Sequence, residues 1–164
     1  MSWVPWLLLL HIGGAIVAFG PTFAFPLIGA MGGREPMHAN FATRVSDRIS
    51  HRMTLPLAVV QGITGVLLII ATGRNLADRS NWWLGIGIFL YAMALSFSIF
   101  VQTPRVAKVI EMTSTPPPPP ATGSAPTGPP PALMAAVRTV QQGGMILTVL
   151  IVSIIVLMVL KPTF

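Results

Sequence analysis

The chain has no cysteine, only four acidic residues in 164 positions, one tyrosine, and 9% charged residues in all. The missing cysteine excludes disulfides, thiolate metal sites and a thiol nucleophile. The scarcity of acids leaves no carboxylate pair for acid–base chemistry. Glu35 and Asp47 stand among arginines and read as loop ion pairs. There is no glycine-rich phosphate loop outside an apolar run, and no triad set. GGAIVAFG is only loosely like a dinucleotide loop: it lies within a hydrophobic stretch and follows no strand. The low charge excludes most. Soluble domains carry about 25% charged residues, and this chain is 53% hydrophobic. The simplest account is that lipid covers much of its surface. The net charge of +6 does not point to nucleic acid, because the basic residues sit between apolar runs. They read as topology determinants and as contacts for anionic headgroups.

What is present is four apolar stretches. The first, about residues 3–31, has no Lys, Arg, Asp or Glu. It lacks a basic leader and exceeds the 7–15 apolar residues of a signal sequence, so it reads as a retained membrane helix. Trp3 and Trp6 suit an interfacial belt. Pro21 and Pro26 predict a kink or an early end in its second half, and Gly32 and Gly33 are expected to break it. The second stretch spans about 53–72, with Gln61 and Thr64 as polar interior residues and Gly62 and Gly65 as close-approach residues. The third spans about 82–103, with Trp82 and Trp83 at one end and Tyr91 midway. The fourth spans about 144–160, and helix is expected to reach back through Met134–Gln142. The expectation is an all-α, up-down-up-down four-helix transmembrane bundle, a single integral membrane domain over residues 1–164.

Two connectors differ in kind. Residues 32–52 carry Phe41, Val45 and Ile49 at four-residue spacing, with Arg44, Arg48 and Arg52 along another side. That pattern predicts a short amphipathic helix in loop one, lying at headgroup level or simply solvated. After Pro104 a short basic helix is expected. A Pro-rich insertion then covers about 113–132, a low-complexity spacer that cannot bury a core. Loops one and three carry Arg34, Arg44, Arg48, Arg52, Arg105, Lys108 and Arg138, against Arg74, Arg79 and Lys161 on the other side. Seven against three places loops one and three in the cytoplasm and both termini outside.

Depth then suggests a site. His11 is the only strongly ionisable side chain inside the long apolar stretches, and such a residue is a functional candidate by default. Counting at 1.5 Å per residue from the flanking interface puts His11, Thr64, Tyr91 and Ser153 all about 12–13 Å deep. One polar side chain per helix is thus expected in a common layer, pointing inward. Two readings stay open. In one the layer is a hydrogen-bond cluster, with His11 paired to Tyr91 or to a backbone carbonyl. In the other His11 is an axial ligand of a haem b beside its small Gly13–Gly14 face, with Gly14 and Tyr91 lining the cofactor. A second iron ligand is not evident: His38 and His51 belong to the opposite side, leaving Tyr91, Met93 or a five-coordinate iron. No metal site is expected except through haem iron. A proton relay is a third possibility for the same layer.

The segments LLLLHIGGAIVAFG, FATRVSDRIS, PLAVVQGITGVLLI, WWLGIGIFLY and VLMVLKP resemble the domain-of-unknown-function family 2269, predicted four-span integral membrane proteins of bacteria. The resemblance covers most of the chain outside the Pro-rich segment and implies the bacterial inner membrane, but no activity. More distantly, the LHI segment is similar to HemJ-type protoporphyrinogen oxidases and to the copper-resistance D family. In the HemJ-type proteins a histidine at the place of His11 ligates haem b. Those enzymes also use a lysine in a later span, which this sequence lacks, so their oxidase activity is not implied. The residues favour a non-catalytic subunit or helper of a larger membrane complex, in contact with the bilayer and other membrane-protein subunits. A haem b redox protein is the alternative, and a small transporter the third reading.

Overall fold

The structure, a computed structural model, describes residues 3–114 and 129–162. The described residues form helices and connecting turns, with no strand among them. Four long helices, Val4–Arg34, Ala39–Ala71, Arg79–Met112 and Pro131–Leu160, are apolar and long enough to cross a membrane. The shortest has 30 residues, about 45 Å, which covers the hydrocarbon core and both headgroup layers. The surface is inverted relative to a soluble protein. Ile16, Ile70, Phe100 and Val159 are each about two-thirds or more exposed, while Gln61 and Thr64 are buried.

Span one is α1 (Val4–Phe19), a tight 3-10 stretch (Gly20–Ala24) and α2 (Phe25–Arg34). The expected interruption therefore falls at Pro21, between the two helical halves. The helix does not break at Gly32 and Gly33 but runs through both to Arg34. Gly32 has a packing reason to be there. A methyl group on it would lie 3.0 Å from the Ala42 Cβ and 3.4 Å from the Ala39 Cα of the next helix.

Span two is α3 (Ala39–Ile49), a widened π turn (Ser50–Thr54) and α4 (Leu55–Ala71). The amphipathic segment of loop one exists as α3, but it is continuous with the span rather than a separate helix in the membrane plane. Span three repeats the device as α5 (Trp82–Phe97), a π turn (Ser98–Gln102) and α6 (Thr103–Met112). In each, a serine opens the wide turn and a proline follows six residues later, Pro56 and Pro104. Proline has no N–H and crowds the carbonyl four residues back. The helix meets this by closing an i→i+5 bond just ahead of the ring, from Leu55 N–H to Ser50 O and from Thr103 N–H to Ser98 O. Span four is one unbroken helix, α7 (Pro131–Leu160). Only its second half is the expected apolar span. Most of the Pro-rich insertion lies outside the described residues, although Pro131 and Ala132 belong to α7.

The spans pair by sequence neighbourhood. α1 packs along α4 and α2 along α3, while α7 packs along α5 and α6; the two pairs meet where α3 touches α6. Side-chain amides hold that end. Asn40 donates from Nδ2 to the Ile110 carbonyl and to Thr113 Oγ1, both at 3.0 Å. Gln102 donates from Nε2 to the Val140 carbonyl at 2.9 Å. At the other end, Arg74 donates to Asn81 Oδ1 at 3.0 Å and lies over the Trp83 ring, fixing the short link between spans two and three. The acids expected to pair with arginine instead lie against histidine, Glu35 at 3.0 Å from His38 Nδ1 and Asp47 at 3.2 Å from His51 Nδ1, pairs that are ionic when the imidazole is protonated. Each pair is one helical turn apart, so the partner was set by local geometry.

The contrast between adjacent glycines gives a test. Gly33 meets nothing within 4 Å, whereas Gly32 faces rigid atoms of α3. Gly33→Ala should raise or preserve thermal stability in detergent, through a helix-propensity gain of up to about 1 kcal/mol. Gly32→Ala should lower it, because the two helices must separate, at a cost of about 1–3 kcal/mol. Equal melting temperatures for the two variants would contradict this packing.

Candidate functional site

The site begins on α1. His11 projects toward α4, where its Nδ1 lies 2.8 Å from Thr64 Oγ1. It can come this close because residue 65 is glycine: a methyl there would sit 3.3 Å from the His11 Cε1. One turn on, Gly14 receives Gln61 in the same way, with a methyl on Gly14 falling 3.2 Å from the Gln61 Oε1. Two glycines, one on each helix, thus make room for two polar side chains across a single interface.

The hydrogen-bond network favours one tautomer of His11. The Thr64 hydroxyl has one proton. It lies 3.0 Å from both the Val60 and the Gln61 carbonyls, which can only accept. A hydroxyl that donates back to its own helix accepts from the imidazole. In that arrangement the proton of a neutral His11 is on Nδ1; Nε2 has no hydrogen-bond partner among the described residues. An imidazole whose Nδ1–H is held by a neighbouring acceptor, leaving Nε2 bare, has the arrangement of a metal-ligating histidine.

Tyr91 takes a different partner. Its hydroxyl donates to the Ala58 carbonyl at 2.6 Å, six residues before Thr64, or about 9 Å along the helix. It fits because residue 62 is glycine; a methyl there would lie 2.8 Å from the phenol oxygen. Beside it an apolar groove of about 380 Å³ opens between α4 and α5, with Val59, Ile63 and Leu95 in its walls. Ser153 makes no side-chain hydrogen bond among those found in the described residues. Of the four side chains counted to one depth, the structure joins His11 and Thr64 directly. Tyr91 is attached to span two at another level, and Ser153 is joined to none of them. Gln61 belongs beside His11. Its signal in the sequence was to be a second polar residue, three positions before Thr64 and so on the same helical face.

The residues fit a porphyrin iron at one point only. His11 supplies a ring nitrogen, Nε2, with no hydrogen-bond partner among the described residues. The Gly14 side is filled by Gln61, and the groove beside Tyr91 is lined by residues other than His11. No group of three or more His, Cys, Asp or Glu side chains that would hold a metal occurs among the described residues.

The comparison with known families agrees with this architecture. Residues 5–162 match the family described as predicted integral membrane protein (DUF2269). The chain belongs to that family. No curated protein and no solved structure matches it. This DUF2269 protein is thus an integral membrane protein with four candidate spans, in contact with the bilayer.

The tautomer assignment is testable. In protein with isotope-labelled histidine, His11 should show the nuclear magnetic resonance shifts of an Nδ1–H imidazole. Thr64→Ser should preserve them. Thr64→Val should release the Nδ1 proton and shift the ring toward the Nε2–H form. An Nε2–H signal in the wild type would overturn the assignment.

Proposed function

We propose that this protein is a non-catalytic subunit or helper that packs against another membrane protein, set in the bacterial cytoplasmic membrane with both termini outside. The observation that supports this reading is an open, small-residue face that runs along α1 to the start of the 3-10 stretch after it. Gly13 and Gly20, two turns apart, meet nothing within 4 Å, and Ile16 and Val17 between them are exposed. Lipid chains need no glycine to pack against. A second helix does, because glycine lets two backbones approach and gain contact in a solvent as apolar as their own side chains. The other glycines of α1 and α4, at 14, 62 and 65, are each used by a neighbour within the chain. The arginine distribution supports the orientation.

A second reading has its own support in the bare Nε2 of His11: a haem b ligand contributed to a shared site. The chain's part would be one axial nitrogen, oriented through Thr64. When bound, haem would supply one-electron redox chemistry. The second ligand and the rest of the pocket would come from a partner, consistent with a single suitable donor here.

Gentle-detergent purification followed by native electrophoresis separates these ideas. The wild type should run in an assembly larger than one chain. Gly13→Ile with Gly20→Ile should release it as a helical monomer. A wild type that is strictly solitary and has measurable turnover would sink the subunit reading. For haem, a pyridine-haemochrome spectrum of the purified assembly should show haem b that His11→Ala loses. A colourless wild-type assembly would end that alternative.

A further inference from the structure

We infer that the groove between α6 and the first turns of α7 binds the phosphate of an anionic phospholipid. The groove is about 310 Å³ and is lined by Arg105, Lys108, Ala132, Ala135, Ala136 and Thr139. The four α7 residues follow i, i+3, i+4, i+7 spacing, one helical face made only of small side chains. The α6 wall supplies two cations.

Height along the bundle fits a headgroup. Arg105 and Lys108 stand 23 and 26 residues from Trp82, about 35 and 39 Å along span three, just past a 30 Å hydrocarbon core. On span four, Thr139 and Ala132 stand 22 and 29 residues from Lys161, about 33 and 43 Å. Both walls therefore reach the same headgroup layer.

The charge is uncompensated. The Arg105 guanidinium turns back toward the core, 5.9 Å from the centre of the Phe97 ring, and its one hydrogen bond among the described residues is a long 3.4 Å contact to the Thr139 carbonyl. A cation at the edge of hydrocarbon requires a counter-charge, and neither Arg105 nor Lys108 has a carboxylate within 4 Å among the described residues. The acids are placed elsewhere. Glu35 and Asp47 are taken by His38 and His51. Asp78 is at the opposite end of the bundle, and Glu111, although on α6, forms no ion pair there. Residues 115–128 contain no acid at all. A lipid phosphate meets both needs: its oxygens accept from the guanidinium and the ammonium, and its acyl chains continue down the apolar sides of the spans.

The test is native mass spectrometry of the full chain in mild detergent, titrated with phosphatidylglycerol, phosphatidylcholine or inorganic phosphate. Phosphatidylglycerol should bind at least about tenfold more tightly than either of the others. Arg105→Gln with Lys108→Gln should weaken it about thirtyfold, the scale set by two basic residues near an anionic headgroup. Ala135→Leu keeps every charge but fills the groove, and should weaken it too. Arg44→Gln with Arg48→Gln, the same loss of charge on α3, should change it less than about twofold. Undiminished binding by the Arg105/Lys108 variant overturns the site, as does an equal loss in the Arg44/Arg48 variant. Phosphatidylcholine held as tightly as phosphatidylglycerol overturns the anionic requirement, and inorganic phosphate held as tightly overturns the lipid as its source.

Discussion

Hydrocarbon offers no hydrogen bonds, and the interior of this bundle is arranged around that fact. The sharpest instance is the contact of His11 with Thr64. An imidazole in the middle of α1 must find an acceptor on another helix or face lipid at a cost of several kcal/mol. Thr64 meets the need with a hydroxyl that also lies within hydrogen-bond reach of the preceding turn of α4. The same rule governs Tyr91 on the Ala58 carbonyl and Gln102 on the Val140 carbonyl. His11, Asn40, Tyr91 and the Gln102 Nε2 each end on a group of a neighbouring span, while Gln102 Oε1 and Thr54 Oγ1 are buried without a partner among the described residues. The polar contacts that are made help set which helices pair and at what height.

Glycine makes those contacts reachable. Gly65 admits His11, Gly14 admits Gln61 and Gly62 admits Tyr91. A side chain at any of these would hold the helices apart by a few tenths of an ångström or displace the polar group. This is small-residue packing in a setting without a hydrophobic drive between helices, put to use in aligning hydrogen bonds. The two proline-linked π turns do related work. They let spans two and three continue past the ring into α3 and α6, so the pairs of spans meet through amphipathic segments that carry four of the chain's ten cations.

Much of the architecture was legible in the residues. Four uncharged runs, tryptophans at the ends of two of them and arginines in the loops are enough to count spans, and Pro21 marked the change of helix type in span one. Boundaries were less legible. Gly32 and Gly33 look like a break, yet Gly32 is held in helix by the close approach of Ala39 and Ala42, which no local rule contains. The polar layer was legible only as a set of depths. Depth gave His11 and Thr64 equal heights, and they meet. It gave Tyr91 and Ser153 the same height, but the Tyr91 ring reaches another turn and Ser153 is joined to none of the other three.

The sequence by itself determined that lipid surrounds this chain, how many times it crosses, and which few side chains cannot be left facing acyl chains. Tertiary structure alone decided which partner each of those side chains takes. The reason is rotational. Helices α1 and α5 are apolar on every side, so hydropathy has no phase that says which face turns inward. That angle is set where glycines let a neighbour approach, and only the packed bundle contains it.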